Sequence, residues 1–340
     1  MKRRIILIMG FVCLWGLLSG PEAKAQDPQF SQFFAAPLYT NPGFTGSTQK
    51  TRFGLNYRNQ WPSLQANFTT YAAYADHYID EYNSGVGLML MSDNVPKAGL
   101  SSTSAYLSYA YQVRFSEDFM LRPGVQLGYV HQSANYGDLL FGDMIDPFTG
   151  EIGAGGEPLD FENRGFFDLG FGAVAFYKEF WAGLSASHLT QPNISTAVDG
   201  DDPLPIKYVY TMGYKFAFTK VDKHLRREYA FTPVMLYKNQ GDFSQLDVGT
   251  YFTFEPLVVG LWYRGLPFKP VEGKSNHESF VALVGYSMHG FNFGYSYDYT
   301  ISDLGIKSGG AHEISISYTL FLGDPRKPPK HMRKLPCPQF

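Results

Sequence analysis

Residues 103–115, with the sequence TSAYLSYAYQVRF, alternate between two kinds of side chain. One phase, from Ala105 to Phe115, is apolar or aromatic, and the other, from Ser104 to Arg114, is mostly small or polar. Successive side chains of a strand point to opposite faces, so this alternation predicts a strand with one apolar face. Residues 208–218 (YVYTMGYKFAF) and 311–322 (AHEISISYTLFL) repeat the pattern, and the three stretches predict an all-β fold.

Similar runs, bounded by turn residues, recur along the chain and predict about fourteen strands. Each run is near or above the roughly 9–11 residues that a tilted membrane strand needs. The predicted strands lie near residues 51–60, 67–79, 84–92, 103–114, 118–133, 166–177, 179–189, 206–219, 228–238, 243–254, 257–265, 278–288, 291–301 and 311–322.

The predicted connections alternate in length. Those after odd-numbered strands include the long stretches 93–102, 134–165, 190–205, 266–277 and 302–310. Those after even-numbered strands are mostly tight, such as 115–117, 178, 255–256 and 289–290, with 220–227 as the exception. Long extracellular loops and short periplasmic turns are typical of outer-membrane barrels, whereas a soluble sandwich has no reason to sort its loops. Residues 51–322 are therefore predicted to form a transmembrane antiparallel β-barrel with both chain termini on the periplasmic side.

Composition agrees with a barrel and excludes two other classes. Aromatic residues make up 17% of the chain and charged residues 17%, at a mean hydropathy of -0.19. After residue 25 no apolar run reaches the roughly 18 residues of a membrane-spanning helix, so a helical membrane protein is excluded. The formal net charge of -3 implies no polyanion-binding surface and hence no nucleic-acid partner.

The first 25 residues predict a signal peptide. Basic residues at positions 2–4 precede an apolar run from Ile5 to Leu18, and Ala23-Lys24-Ala25 has the small-x-small pattern of a cleavage site. The mature chain is then predicted to begin at Gln26. Cys337 would be its only cysteine, so no internal disulfide is expected.

Candidate chemistry is sparse in this sequence. His131 and Ser133 have the two-residue spacing that places a base and a nucleophile on one face of a strand, which leaves a lipid hydrolase as a minor alternative. The acidic stretch 134–165 could hold calcium but lacks an ordered ligand loop, and a solvated loop is the preferred interpretation. His188 and His312 are interpreted as polar residues at strand ends. No catalytic or cofactor motif occurs, so neither an enzyme nor a cofactor is expected.

Several blocks of sequence resemble the PorP/SprF family of outer-membrane barrels, which serve type IX secretion and gliding in Bacteroidota. They are QDPQFSQFFAAPLYTNPGFTGS (26–47), YRNQWPS (57–63), GLSASHLTQP (183–192), YKNQGDFSQLDVGTYF (237–252), GLWYRGLP (260–267), ALVGY (282–286), YSYDYTIS (295–302), GGAHEISISY (309–318) and KLPCPQF (334–340). The resemblance implies an outer-membrane component that assists export or surface retention of secreted proteins. It also implies contact with a periplasmic lipoprotein ring and with a secreted cell-surface protein, and it leaves open whether this chain serves the core machine or one dedicated substrate.

Residues 26–50 are predicted to form a docking segment at the barrel mouth. Asp27, Pro28, Phe30 and Phe33 are candidate partner-docking residues, because a segment with aromatic and amide groups but few charges is expected to lie against protein. The strand faces opposite the apolar rows are expected to carry few charges, whereas a porin lumen is polar and charged. An interaction role is therefore favoured over the alternative of a diffusion channel.

Residues 323–340 are predicted to form a basic, proline-rich periplasmic tail. Five prolines prevent the tail from continuing the sheet. We hypothesise that it contacts an acidic periplasmic partner, with Cys337 and Phe340 set into that partner or against the barrel base. The candidate basic residues are Arg326, Lys327, Lys330, Arg333 and Lys334.

Overall fold

The computed structural model describes residues 27–64, 67–134, 162–196, 200–218, 229–271, 274–302 and 305–322. Within these residues the chain forms fourteen long strands. Their bounds are β1 Thr51–Gln60, β2 Phe68–Ile79, β3 Ser84–Val95, β4 Leu100–Tyr111, β5 Phe119–Ala134, β6 Arg164–Tyr177, β7 Phe180–Ser187, β8 Lys207–Tyr214, β9 Tyr229–Gln240, β10 Phe243–Phe254, β11 Leu257–Val271, β12 Lys274–Met288, β13 Phe291–Thr300 and β14 Ala311–Leu320. The two-residue segments Val113–Arg114 and Phe216–Ala217 continue β4 and β8.

The strands close into one antiparallel barrel. Each strand pairs with its neighbours in chain order, and β1 pairs with β14 from Thr51 opposite Leu320 to Gln60 opposite Ala311. Closure pairs each of the fourteen described strands with a neighbour on both of its edges. The predicted antiparallel barrel of about fourteen strands is confirmed.

Burial alternates along each strand, in the phase that the sequence predicts. On β4, Leu107 and Tyr109 are exposed on the outer wall, whereas Ser108 and Ala110 are buried on the inner wall. The apolar rows therefore face outward, where a membrane barrel meets lipid. No helix in the described part of the chain is long and apolar enough to cross a membrane.

The two rims of the barrel differ in their connections. The rim at which odd-numbered strands end carries the long connections 135–163 and 188–206, and we call it the loop rim. The opposite rim carries the tight turns 178–179, 255–256 and 289–290, and we call it the turn rim. This sorting agrees with long extracellular loops and short periplasmic turns.

Two predicted loops are instead extensions of hairpins. Residues 266–277 were expected to be a long connection, but β11 continues to Val271 and β12 begins at Lys274. The predicted loop 93–102 narrows to residues 96–99, because β3 and β4 remain paired up to Val95 and Leu100. Hairpins extend beyond the lipid-facing band, where strand pairing persists but an alternating apolar face is no longer required. The periodicity therefore ends before the strands do.

The sidedness of the rims is directly testable with single cysteines. Asp201 is exposed on the loop rim and Glu81 is exposed in the turn between β2 and β3 on the turn rim. A cysteine at Asp201 should react with a membrane-impermeant maleimide on intact cells, and one at Glu81 should react only after the outer membrane is permeabilised. The reverse labelling pattern would contradict this orientation. The predicted connections 134–165 and 220–227 suggest cysteines at Gly153, which should label on intact cells, and at His224, which should not, but both positions lie outside the described residues.

Candidate functional site

The barrel lumen holds the chain's own residues 27–50, which we call the lumen segment. It runs from Asp27, beside the loop-rim residue Lys207, to Lys50, which leads into β1 at the turn rim. Every residue from Phe30 to Ser47 is buried except Tyr39, which is half-buried. The segment can be buried because no charged residue stands between Asp27 and Lys50.

The direction of the lumen segment corrects one expectation. Both chain termini were predicted on the periplasmic side, but Asp27, the neighbour of the predicted mature N-terminus, lies at the loop rim. The strand count alone places Thr51 at the turn rim, and the preceding residues then cross the whole lumen. A short helix, α1 (Pro37–Thr40), and a 3₁₀ turn at Pro42–Phe44 shorten the segment on its way through.

The Asp27 cluster holds the segment at the loop rim. The carboxylate of Asp27 accepts hydrogen bonds from Lys207 Nζ and, at 3.2 Å, from Gln240 Nε2. It also lies 2.8 Å from His188 Nε2. His188 Nδ1 lies 3.0 Å from Asp168 Oδ2 on β6. His188, interpreted from sequence as a polar strand-end residue, is therefore a buried ion-pair partner.

The charges in this cluster shift two pKa values. Burial raises the pKa of Asp27, but the nearby charges of His188 and Lys207 lower it more, so it lies well below its usual range. Burial lowers the pKa of His188, but Asp27 and Asp168 outweigh that effect and raise it to about 9. At neutral pH Asp27 and His188 are therefore both ionised and attract each other.

A second cluster, around Ser31, holds the lumen segment four residues after Asp27. The Ser31 hydroxyl donates to Asp298 Oδ2 at 2.6 Å and accepts from Arg58 Nη1 at 2.8 Å and Arg264 Nη2 at 3.0 Å. The Ser31 backbone N–H donates to Glu313 Oε2 at 2.7 Å. Both guanidinium groups also pair with Asp298, at 2.9 Å and 2.8 Å. Four charged side chains from four strands thus converge on one serine.

Gln32 extends the same contacts along the segment. Its backbone N–H donates to Glu313 Oε1 at 3.1 Å, and its side-chain Nε2 donates to Ser296 Oγ at 3.2 Å. Ser315 Oγ donates to Gln32 Oε1 at 2.6 Å. Because the segment is not paired with any strand, its buried backbone and side-chain groups need such partners from the wall.

An aromatic layer fills the middle of the lumen. Phe33 packs edge-to-face on Trp262 with ring centroids 6.0 Å apart. Phe34 packs in the same manner on Trp181 at 5.9 Å and on Tyr251 at 5.8 Å. All five rings are buried and belong to one apolar core. Burial of several aromatic side chains provides the largest apolar contribution to seating the segment.

Two arginines hold the segment near the turn rim. Arg122 donates a hydrogen bond to the carbonyl oxygen of Thr45. The Gly46 N–H donates to Asp76 Oδ2 at 2.7 Å, and Asp76 also forms a two-bond pair with Arg52, at 2.9 Å for each bond. The lumen segment is thus fixed by charged groups at both ends and by aromatic rings between them.

The expectation of few charges on the inner wall is wrong. At least ten strand residues of the described chain are charged and buried in the barrel interior. Each is a single acidic or basic residue within its short stretch of strand, and the inward phase of blocks such as GLWYRGLP (260–267) and YSYDYTIS (295–302) places such residues on the inner wall. The ten are Arg52, Arg58, Asp76, Arg122, Asp168, Lys207, Asp247, Arg264, Asp298 and Glu313.

The candidate docking residues of the N-terminal segment face the barrel itself. Phe30 and Phe33 are buried, and Phe30 packs edge-to-face on Tyr39 at 5.3 Å. The Pro28 carbonyl accepts a hydrogen bond from the Tyr39 hydroxyl. A partner would reach these rings only if the segment left the lumen, and a docking role for them stays a prediction. The tail candidates lie outside the described residues, namely Arg326, Lys327, Lys330, Arg333, Lys334, Cys337 and Phe340.

The hydrolase alternative receives no support from the neighbours of His131. The side chain of His131 is exposed, and the residues directly opposite it are Thr103 on β4 and Gly165 on β6. Neither residue carries the carboxylate that would orient the imidazole as a base for Ser133.

The fold and the filled lumen define an outer-membrane β-barrel whose N-terminal segment acts as an internal plug. The chain belongs to the family described as "Type IX secretion system membrane protein PorP/SprF", which it matches over residues 22–318. The resemblance seen in the sequence is thereby confirmed, as are the outer-membrane location and the association with type IX secretion.

Several solved barrels are similar in outline. A FadL homologue of Pseudomonas aeruginosa is 12% identical at a TM-score of 0.42, and the match covers 84% of this chain and 94% of the homologue. A TodX mutant described as a monoaromatic hydrocarbon channel is 12% identical at a TM-score of 0.44, covering 84% and 92%. The KdgM porin is 9% identical at 0.35, covering 78% and 99%. No curated protein matches the chain.

The Asp27 cluster predicts a pH dependence of stability. Because the pKa of His188 rises from 6.5 to about 9 on folding, its stabilising effect is complete below pH 6.5 and is lost as the pH rises through 9. The shift corresponds to about 3 kcal/mol at 1.36 kcal/mol per pKa unit. The midpoint temperature of thermal unfolding of the purified barrel should therefore fall more steeply between pH 6 and 10 for the wild type than for His188→Gln. Parallel profiles for the two proteins would contradict the assignment.

Proposed function

We propose that this chain is a non-enzymatic, closed barrel that assists export or surface anchoring of secreted proteins by type IX secretion. The observation that carries this proposal is the filled lumen. A diffusion channel needs a continuous polar passage through the barrel. Here the lumen segment crosses the barrel interior, its aromatic rings pack on the inner wall, and the inward charges of the Ser31 cluster bind it.

The partners are proposed to meet the two rims separately. The secreted cell-surface protein approaches the loop rim, and the periplasmic lipoprotein ring contacts the turn rim and the basic tail of residues 323–340. The tail carries five basic residues against the single acid Asp324, so an acidic surface is the complementary partner. Outer-membrane lipid covers the apolar outer wall between the rims.

The docking role of the tail can be tested by truncation. Removing residues 327–340 should leave a heat-modifiable barrel in the outer membrane, because β14 ends at Leu320. Co-purification of the periplasmic partner and surface display of the substrate should both be lost. Changing the five basic tail residues to glutamine should give the same loss if charge is responsible.

The matched control for the tail is an exposed basic residue on the same rim. Lys178 lies in the turn between β6 and β7, and its side chain is 57% exposed. Lys178→Gln should change neither co-purification nor display. Unchanged co-purification and normal secretion in the truncated protein would show that the tail is dispensable and would overturn its proposed docking role.

A further inference from the structure

A chamber of about 850 Å³ lies between the lumen segment and the inner wall of β1–β8. Its lining includes Leu100 and Asp202, which are exposed on the loop rim, so the chamber opens toward that side. Asp27, Pro28 and Tyr39 of the lumen segment form part of its lining. The volume is in the range of pockets that bind small ligands or short peptide segments.

The wall of the chamber is largely apolar. Met89 and Met91 on β3, Tyr106 on β4 and Phe166 on β6 line it, together with Leu204 from the connection before β8. Methionine and aromatic side chains adapt to apolar groups of varied shape. The chamber can therefore accept an apolar body.

Two buried oxygens in the lining have no hydrogen-bond partner among the residues that the structure describes. Asp168 is 3% exposed and Ser104 is 4% exposed. Asp168 Oδ1 and Ser104 Oγ form no hydrogen bond with the described residues. A buried polar atom without a partner costs free energy, so both oxygens favour a ligand that brings hydrogen-bond donors. The other Asp168 oxygen, Oδ2, faces His188.

Charge in the lining favours a cation over an anion. Carboxyl groups outnumber basic groups among the lining residues. The carboxyl groups belong to Asp27, Asp93, Asp168 and Asp202, and the basic groups to His188 and Lys207. Both basic groups face Asp27, and His188 also faces Asp168, so these four groups balance one another. The remaining negative charge of the lining belongs to Asp93 and Asp202.

We infer that the chamber binds an apolar group with an ammonium or guanidinium head, which donates to Asp168 Oδ1. Lysine and arginine side chains in an extended segment have this chemistry, as do free alkylamines. The inference deepens the proposed function, on which it rests only for the source of the group: a secreted protein arriving at the loop rim.

Binding can be followed by Trp61, which lines the chamber, with the full-length mature protein in detergent. Hexylammonium should change the Trp61 emission saturably, whereas hexanoate and hexanol at equal concentration should not. Asp168→Asn should weaken hexylammonium binding about tenfold, which corresponds to one charge-assisted hydrogen bond. Trp61→Phe should abolish the signal. Asp118→Asn, an exposed carboxylate on the turn rim, is the matched control and should leave binding unchanged.

A second variant keeps the test decisive if Asp168→Asn fails to fold. With Ser104→Cys in a Cys337→Ser background, a trimethylammonium thiosulfonate should react about tenfold faster than a sulfonate analogue, as a negative chamber requires. Equal rates, or equal binding of hexylammonium and hexanoate, would overturn the site.

The source of the group is tested with a peptide. N-acetyl-Phe-Lys-amide binding more tightly than hexylammonium would support a secreted protein as the source. Tighter binding of the free amine would overturn that source while the cation site stands. None of these outcomes depends on whether the barrel conducts, so failure of this inference is distinguishable from failure of the closed-barrel proposal.

Discussion

Replacing Arg264 with leucine should destabilise the barrel by about 3–5 kcal/mol, the cost of removing one partner from a buried ion pair. Arg264 is fully buried and pairs with Asp247 and Asp298, each at 2.8 Å. With leucine, the negative charges of Asp247 and Asp298 would lose a positive partner in a site that water does not reach. Ser31 would also lose one of its hydrogen-bond donors. The measurement is the thermal midpoint of heat-modifiable migration or of tryptophan fluorescence.

An exposed ion pair provides the control for this substitution. Lys178 and Asp118 lie 3.7 Å apart on the turn rim, with both side chains about half exposed. Exposed pairs contribute roughly 0–1 kcal/mol, so Lys178→Leu should shift the midpoint very little. Equal shifts for Arg264→Leu and Lys178→Leu would mean that the Ser31 cluster does not stabilise the plugged barrel.

Adding one methyl group at Gly85 should loosen the turn-rim end of the lumen segment. A Cβ at Gly85, on β3, would lie 2.1 Å from the carbonyl oxygen of Thr45, which is backbone and cannot rotate away. Overpacking of this kind costs about 1–3 kcal/mol. Gly85→Ala should therefore make residues near Thr45 accessible to a protease added to the detergent-solubilised barrel.

Gly170 is the matched glycine for this test. It also lies on the inner wall, but a Cβ there would meet its nearest neighbour, the Ala186 carbonyl oxygen, at 3.5 Å, an ordinary contact. Gly170→Ala should leave the protease pattern unchanged. Cleavage near Thr45 that is equally slow in both variants would contradict tight seating of the segment against β3.

The barrel was predictable from the sequence because lipid and lumen impose opposite requirements on alternate residues. The bounds of β1 and β10, residues 51–60 and 243–254, agree with the predicted ranges. The prediction failed at residues 266–277, where pairing continues after the apolar alternation has ended. The alternation of apolar and polar residues reflects whether side chains face lipid or lumen, whereas the ends of strands are determined by backbone pairing.

The candidate site was predictable only in part. The charge-free, aromatic stretch around Phe30 and Phe33 predicted a segment that lies against protein, and both side chains are buried in the barrel. The contacts of this segment could not be predicted from the sequence, because Phe34 packs on Tyr251 and Ser31 binds Asp298 across more than 200 residues of chain. The inner-wall charges could be recognised as single charged residues at the inward-facing positions of strands. Their pairing could not, because it depends on the register of strands that are distant in sequence.

The wall and the lumen segment have complementary chemistry. Its backbone N–H groups at Ser31, Gln32 and Gly46 meet carboxylates, and its carbonyl oxygen at Thr45 meets an arginine. Under the proposed function, the segment occupies the lumen and the partners meet the rims of the barrel.

Conductance in planar bilayers tests the closed lumen most directly. The intact mature protein should show no steady conductance, because the segment occupies the lumen from Asp27 to Ser47. A variant lacking residues 26–47 should form an open pore if it assembles as a heat-modifiable barrel, because a fourteen-stranded wall encloses more space than its own side chains fill. A steady pore in the intact protein would contradict the account and identify the barrel as a diffusion channel.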